Sequence, residues 1–248
     1  MPQWCGSRIF GEMPMVKETD LNLIGEQALF RELELHDRQL AARLCTWTTH
    51  PHDTEILSES EVSTDIFFVV RGDVVAKSYS ASGREVTFNT ICSGQLFGEF
   101  SAIDGRPRSA SVRTVGNVVI ARMTSTAFRD FLVHHPSVAL LFSEHLVEKV
   151  RALSKRVFEF STLSVRYRVR AELLRMCRGQ KDESGQVSLD PAPTHYELAT
   201  RLSTHREAVS RELSYLAARK VIKLDRRRIR VLDVKRLEAS VEASELVS

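Results

Sequence analysis

The chain has 248 residues, 43% hydrophobic and 27% charged, with a formal net charge of +3, the balance of a soluble globular protein large enough for two modest domains. Its longest apolar runs, Ile66 to Val70 and Val138 to Phe142, fall far short of a bilayer span, and the first twenty residues lack the basic-then-apolar pattern of an export signal. The four cysteines, Cys5, Cys45, Cys92 and Cys177, lie far apart with no C-x-x-C pair, which argues against a zinc site, an iron–sulfur cluster or a disulfide framework and predicts a cytoplasmic, membrane-free setting.

From about Trp47 to Met123 short β-prone runs alternate with turn residues. Ile66 to Val70 ends at Arg71-Gly72-Asp73, Val74 to Ala76 leads to Ser80-Ala81-Ser82-Gly83, and Val86 and Phe88 alternate with Thr87 and Asn89. Ser93-Gly94 and Asp104-Gly105 punctuate the next connections, and Val112 to Met123 is again strand-like. This spacing predicts a small antiparallel barrel or roll within residues 1–134. After Pro136 the apolar period lengthens to three and four, through Ala139, Phe142, Leu146, Val150, Leu153, Val157 and Phe160. That pattern predicts one long amphipathic helix over 135–163, and its Leu146 to Phe160 stretch approaches a heptad seam. Such a stripe packs against a copy of itself or against its own domain; a roll of this size should not need so long a covering helix, so the seam favours a homodimer.

Helical periodicity resumes from about Val165 to Cys177, and a strand-like Gln186 to Leu189 follows within a polar, turn-rich stretch. Thr194-His195-Tyr196-Glu197 and Thr204-His205-Arg206-Glu207 each match the T-x-x-E capping box, proposing two short helices with Leu202-Ser203 as a tight turn between them. Val221 to Leu224 and Ile229 to Leu232 flank a basic turn. The expected architecture is therefore α+β: an antiparallel β-roll, a long dimerisation helix, a winged helix-turn-helix over 164–236, and a mobile or weakly helical tail over 237–248.

Between His195 and Arg236 twelve Lys/Arg face five Asp/Glu, a local charge of +7 on an otherwise acidic chain. Such a segment suits a phosphate backbone, although a solvated basic surface has the same composition. On the second capped helix, Arg206, Glu207, Ser210, Arg211 and Ser214 fall on an arc of roughly 140°, while Val209, Leu213 and Leu216 form a core-facing stripe. Arginine can give two hydrogen bonds to guanine and glutamate can accept one from cytosine. Glu207 and Arg211, four apart, could equally make a helix-surface ion pair.

The string Phe97-Gly98-Glu99-Phe100-Ser101-Ala102-Ile103-Asp104-Gly105-Arg106-Pro107-Arg108-Ser109-Ala110 is the most specific in the chain. A cyclic nucleotide offers one phosphate charge and a ribose 2′-hydroxyl. Glu99 can accept from the hydroxyl, and Arg108 can give two charge-assisted bonds to the phosphate. Gly98 permits close backbone approach, and a short helix beginning near Phe100 and Ser101 would aim amides at the anion.

These two strings resemble the cAMP receptor protein/FNR family of bacterial regulators over roughly residues 24–234. Arg206-Glu207-Ala208-Val209-Ser210-Arg211 looks like the family's R-E-x-V-x-R helix, and the Phe97 to Ala110 string resembles the phosphate-binding cassette of cyclic-nucleotide-binding domains. The resemblance implies that Gly98, Glu99, Arg108 and Ser109 hold ribose and phosphate, with Phe88 on the base-facing wall. It implies that Ser154 of the Leu153-Ser154 pair meets the base, with leucine standing where relatives have threonine. Arg206, Glu207 and Arg211 would read palindromic TGTGA-like half-sites of double-stranded DNA, with His195, Thr204 and Ser210 alongside. His195 stands where many relatives carry arginine, and Ser203 where they often carry glycine. The implied effector is cAMP or cGMP, the implied further partner RNA polymerase, touched through Lys181 to Gly185. No catalytic pair or metal site is visible, so no enzyme is predicted. Three rival readings remain open: the same architecture with a haem, redox or absent effector, a nucleotide-binding module acting on a protein partner, and a ligand-independent oligomeric scaffold.

Overall fold

The computed structural model describes residues 18–80, 83, 85–177 and 186–245; part of the Ser80-to-Gly83 turn and all of Lys181 to Gly185 lie outside them. Helices α1 (Glu18–Gly25) and α2 (Leu35–Arg43) precede strands β1 (Cys45–His50), β2 (Glu55–Leu57), β3 (Ile66–Arg71), β4 (Val74–Tyr79), β5 (Glu85–Ile91) and β6 (Leu96–Phe97). A short helix α3 (Glu99–Asp104) leads to β7 (Ser111–Thr114) and β8 (Val118–Met123), then to helices α4 (Ser125–His134) and α5 (Pro136–Thr162). The strands form two four-stranded sheets, ordered β1-β8-β3-β6 and β2-β7-β4-β5. Pairing is antiparallel where register is defined, as in Phe68 opposite Ala121 and Ala76 opposite Val112.

Strand β3 explains why its run of five apolar residues does not alternate with polar ones. Phe67 and Val69 enter a core with Leu57, Val74, Ala76, Ile91, Phe97, Val112, Val118 and Ile120, drawn from both sheets. Phe68, on the other face, packs with Phe30 and Phe128, and Phe128 meets Phe142 edge-on. A strand covered on both faces must be apolar throughout.

Two compact units divide the chain, Met1–Ser78 with Phe88–His145, and Tyr79–Thr87 with Leu146–Ser248. The division falls inside α5, rather than at the expected junctions at 134/135 and 163/164. Its cause is packing: Val138 and Phe142, in the first two turns, are buried. Beyond the division, Val147, Val150, Leu153, Val157 and Phe158 are each more than half exposed. At 100° per residue these side chains span an arc of about 140°, with Ser154 inside it.

The second unit continues with α6 (Val165–Cys177), β9 (Val187–Leu189), α7 (His195–Arg201), α8 (Arg206–Ala218), β10 (Ile222–Asp225), β11 (Arg228–Val231) and α9 (Val234–Glu245). Its sheet has the order β10-β11-β9, and its core takes Val169 and Leu173 from α6, Leu198 from α7, Val209, Leu213 and Leu216 from α8, and Leu237 from α9. The expected tail at 237–248 is thus in large part helix. Val234 and Leu237 bury on the apolar core and draw the segment into the fold.

Charged groups are buried here too. Arg170 on α6 donates to Glu212 on α8 at 2.7 Å, and its guanidinium lies over the rings of Tyr167 and Tyr215. Glu159 near the end of α5 and Glu172 on α6 are both buried and share Arg175, at 2.7 and 2.8 Å. Burial works against the Arg175 charge, but the carboxylates, Glu172 foremost, outweigh it and raise its pKa above the ordinary value. Arg201 of α7 approaches Glu172 at 3.6 Å.

The first of the two expected capping boxes forms. Thr194 Oγ1 accepts from Glu197 N at 3.2 Å, and Glu197 Oε2 accepts from Thr194 N at 2.6 Å. The second, at Thr204 and Glu207, does not: α8 begins one residue later, with His205 at its N-cap and no side-chain cap. The turn accounts for the shift. Ser203 adopts a φ of 48°, and Thr204 N then donates to Ala199 O at 3.0 Å instead of opening the helix.

Just past α8 and its C-cap Arg219, Lys220 has a φ of 55°. Lys220 N donates to Ala217 O at 2.9 Å and Val221 N to Leu216 O at 3.0 Å, the Schellman pattern usually closed by glycine. A left-handed lysine costs about 1–2 kcal/mol, partly offset because glycine gains freedom in the unfolded chain. Lys220→Gly should therefore stabilise the protein by roughly 0.5–1 kcal/mol. The expected signature is a higher urea midpoint with an unchanged slope.

Candidate functional site

Arg108 precedes β7 and is almost fully buried, with 4% of its surface exposed. Its Nε donates to Ser63 Oγ at 2.8 Å, Nη1 to the carbonyl of Gly98 at 3.1 Å, and Nη2 to the carbonyl of Asp65 at 2.8 Å. The Phe67 ring lies under the guanidinium, 5.5 Å from its carbon. A guanidinium has five N–H donors, so these three bonds leave one on each terminal nitrogen, the fork that suits a bidentate anion. Burial lowers the Arg108 pKa, against the opposing charges of Glu61, Asp65 and Glu99. The Glu61 carboxyl is itself held below its usual value, first by a hydrogen bond from Ser63 and then by one from the Ser58 backbone.

Gly98 shapes the same cradle. Its φ of 81° is left-handed, and a Cβ there would stand 2.8 Å from Arg108 Nη1 and 2.9 Å from Asp65 O. Glu99 opens α3 and is buried, Ser101 is buried in the same helix, and Phe100 between them is 46% exposed. Ser109 is exposed two residues before β7. Gly98, Glu99 and Arg108 are therefore brought together around one guanidinium. Phe88 lies on β5, separated from β7 by β4 in the sheet order, and is 44% exposed. Ser154 is exposed on α5, in the other unit.

In the second unit α7 and α8 form the expected helix-turn-helix. Val209, Leu213 and Leu216 are buried, while Arg206, Glu207, Arg211 and Ser214 are exposed. Among the described residues no ion pair joins Glu207 to Arg211, so the helix-surface pair that their spacing allows is not made. His195 Nδ1 and Ser210 Oγ share a 2.7 Å hydrogen bond, fixing the start of α7 against the polar face of α8. Thr204 sits half-buried in the turn rather than at a helix cap. Among the described residues no cluster of His, Cys, Asp and Glu could hold a metal, and no helix is long and apolar enough to cross a membrane.

Comparison with known proteins finds two family models along the chain. Residues 47–135 match the cyclic nucleotide-binding domain, and residues 167–240 match the Crp-like helix-turn-helix domain. The chain belongs to the CRP/FNR family. It is 23% identical over 179 residues to the cAMP-activated global transcriptional regulator CRP of Haemophilus influenzae, covering 72% of this chain and 80% of that one. It is 24% identical over 188 residues to the CRP-like cAMP-activated global transcriptional regulator of Mycobacterium tuberculosis, covering 75% and 84%. FixK2 from Bradyrhizobium japonicum shares the fold, with a TM-score of 0.69 at 20% identity over 79% of this chain and 96% of the other. The protein is thus a cyclic-nucleotide-binding transcription regulator of this family and not an enzyme.

Ser63, Glu61, Asp65 and Phe67 were not singled out by sequence. They reach Arg108 from the β2–β3 connection and from β3, about forty residues away. Two of the contacts to Arg108 are backbone carbonyls, which any residue type supplies, so residue identity carries little signal for them. Only the serine hydroxyl and the acidic neighbours were open to detection. The cradle predicts that Gly98→Ala, forcing a Cβ into the Arg108 and Asp65 contacts, destabilises the protein by roughly 1–3 kcal/mol. Thermal unfolding would show this as a lower midpoint, with cyclic-nucleotide binding weakened in parallel.

Proposed function

We propose that the protein is a homodimer whose binding to a palindromic DNA site is controlled by cAMP. Phosphate and ribose engage Arg108, Ser109, Gly98 and Glu99, with Phe100 and Ser101 in the adjoining helix, Phe88 against the base and Ser154 on the long helix. Arg206, Glu207 and Arg211 read TGTGA-like half-sites, with His195, Thr204 and Ser210 beside them. Domain limits at 1–134, 135–163 and 164–236 belong to this proposal, with 135–163 as the dimerisation helix and RNA polymerase as a further partner suggested by the family alone. The main support is the buried Arg108 fork, with two N–H groups left for an anion inside a cradle of backbone carbonyls.

The exposed valines of α5 support the dimer. Val147, Val150, Ser154 and Val157 recur at three and four, the spacing of a two-helix seam. A dimer docking both α8 helices on one DNA face needs half-sites about 34–36 Å apart. The ligand acts only in so far as it binds the DNA-competent arrangement more tightly than the alternative. cAMP is favoured by the names of the two relatives above. cGMP is the second arm, because Leu153 stands in place of a threonine and Ser109 adds a hydroxyl.

DNA selection with purified protein, run without nucleotide and with cAMP or cGMP, tests both ends at once. A TGTGA-like palindrome enriched only with cAMP is the expected result; enrichment indifferent to both nucleotides would remove the effector. Arg108→Ala should abolish nucleotide binding by calorimetry. Arg206→Ala should cost about 1–3 kcal/mol and relax one base position, whereas an equal loss on every sequence would mark a phosphate contact. In light scattering the unmodified protein should have twice its chain mass, and Val150→Glu with Val157→Glu should halve it. A monomer before substitution would end the dimer proposal.

A further inference from the structure

The two-residue turn between β10 and β11 carries Arg226 and Arg227, both exposed, and neither side chain has a hydrogen bond or ion pair among the described residues. Their neighbours are committed. Arg228 Nε donates to Asp190 at 2.8 Å, and Arg230 pairs with Asp225 at 3.4 Å. The turn itself is tethered, because Ala192 N donates to Arg227 O at 2.8 Å. Ala192 lies two residues before Thr194, the N-cap of α7, and the next residue, His195, bonds Ser210 on the polar face of α8. The turn, the start of α7 and the exposed face of α8 are thus linked by short, named contacts.

A narrow, rigid tip bearing two uncommitted arginines differs from a flat basic surface. The minor groove of DNA is about 6 Å wide and narrows over A·T runs, where its negative potential deepens and favours arginine. Arginine sheds water more readily than lysine, which suits insertion into a confined groove. Asp190 and Asp225 engage Arg228 and Arg230, whereas the two arginines at the tip have no such partner.

We infer that Arg226 and Arg227 enter the minor groove beside each half-site and make the protein select A·T-rich flanking steps. This specificity determinant rests on the DNA-reading proposal for α8. It adds sequence preference at base pairs that α8 does not touch.

The test uses full-length protein and duplexes with a TGTGA palindrome, measured by fluorescence anisotropy with cAMP present and absent. The steps on either side of each half-site are A·T, G·C or inosine·C, and a scrambled core is run alongside. Inosine keeps the major-groove pattern of guanine but lacks its minor-groove amino group, so it separates the two grooves. The unmodified protein should bind A·T and inosine·C flanks roughly five- to tenfold more tightly than G·C flanks. Arg226→Ala with Arg227→Ala should shrink that ratio to about twofold or less while core discrimination persists. Arg226→Lys with Arg227→Lys keeps the charge, and should keep the salt dependence yet lose most of the flank preference. Equal weakening on all flanks by the alanine pair, full preference in the lysine pair, or no flank preference in the unmodified protein would each overturn the inference. Core discrimination without flank preference leaves the α8 proposal standing, whereas loss of both removes the two together.

Discussion

A charged side chain taken out of water must meet opposite charge or hydrogen-bond partners, and the chain takes several out of water. Arg108 is matched by Ser63, Gly98 and Asp65, Arg170 by Glu212, and Glu159 and Glu172 by Arg175. Most of these matches join segments distant along the chain, while Glu172 and Arg175 lie one turn apart on α6. The β2–β3 connection is fastened to the start of β7, α6 to α8, and α5 to α6. Such pairs add modest net stability, but breaking one partner leaves an uncompensated buried charge, so they narrow the arrangements that the chain can adopt.

Charge in this protein therefore divides into two kinds. The buried groups named above are matched and set position. The side chains of Arg206, Glu207, Arg211, Arg226 and Arg227 are exposed and held by no partner among the described residues, and they remain available to a ligand. Arg108 combines the two roles, since its cradle orients the guanidinium while two N–H groups stay uncommitted. A fixed fork binds an anion with less ordering cost than a mobile arginine at the surface. The His195–Ser210 bond serves the same end on α8, holding the helix pair in one geometry.

Helix α5 divides its labour along its length. Val138 and Phe142 belong to the core of the first unit, whereas Val147, Val150, Leu153 and Val157 stay in contact with solvent. The periodicity over Ala139 to Phe160 is continuous, so sequence alone does not distinguish these halves. An apolar residue recurring at three and four signals a buried stripe without saying what covers it.

Much of the architecture was legible because it rests on local rules. Turn residues between β-prone runs marked the antiparallel sheets, the change to a 3.6 period marked α5, and Thr194 with Glu197 marked the start of α7. That Gly98, Glu99 and Arg108 lie together was legible because all three belong to one short string. Other features were decided in three dimensions. Thr204 and Glu207 had the right spacing for a cap, but the left-handed Ser203 turned the backbone first. Leu237 looked like the beginning of a tail until a core existed to bury it. Ser63 and Asp65 became partners of Arg108 only when β3 and β7 entered facing sheets, and no local pattern encodes that meeting. The sequence by itself determined which chemical groups the protein carries and which elements bear them. Tertiary structure decided which charges are matched and which are left to act, because burial and distance exist only once remote segments share a core.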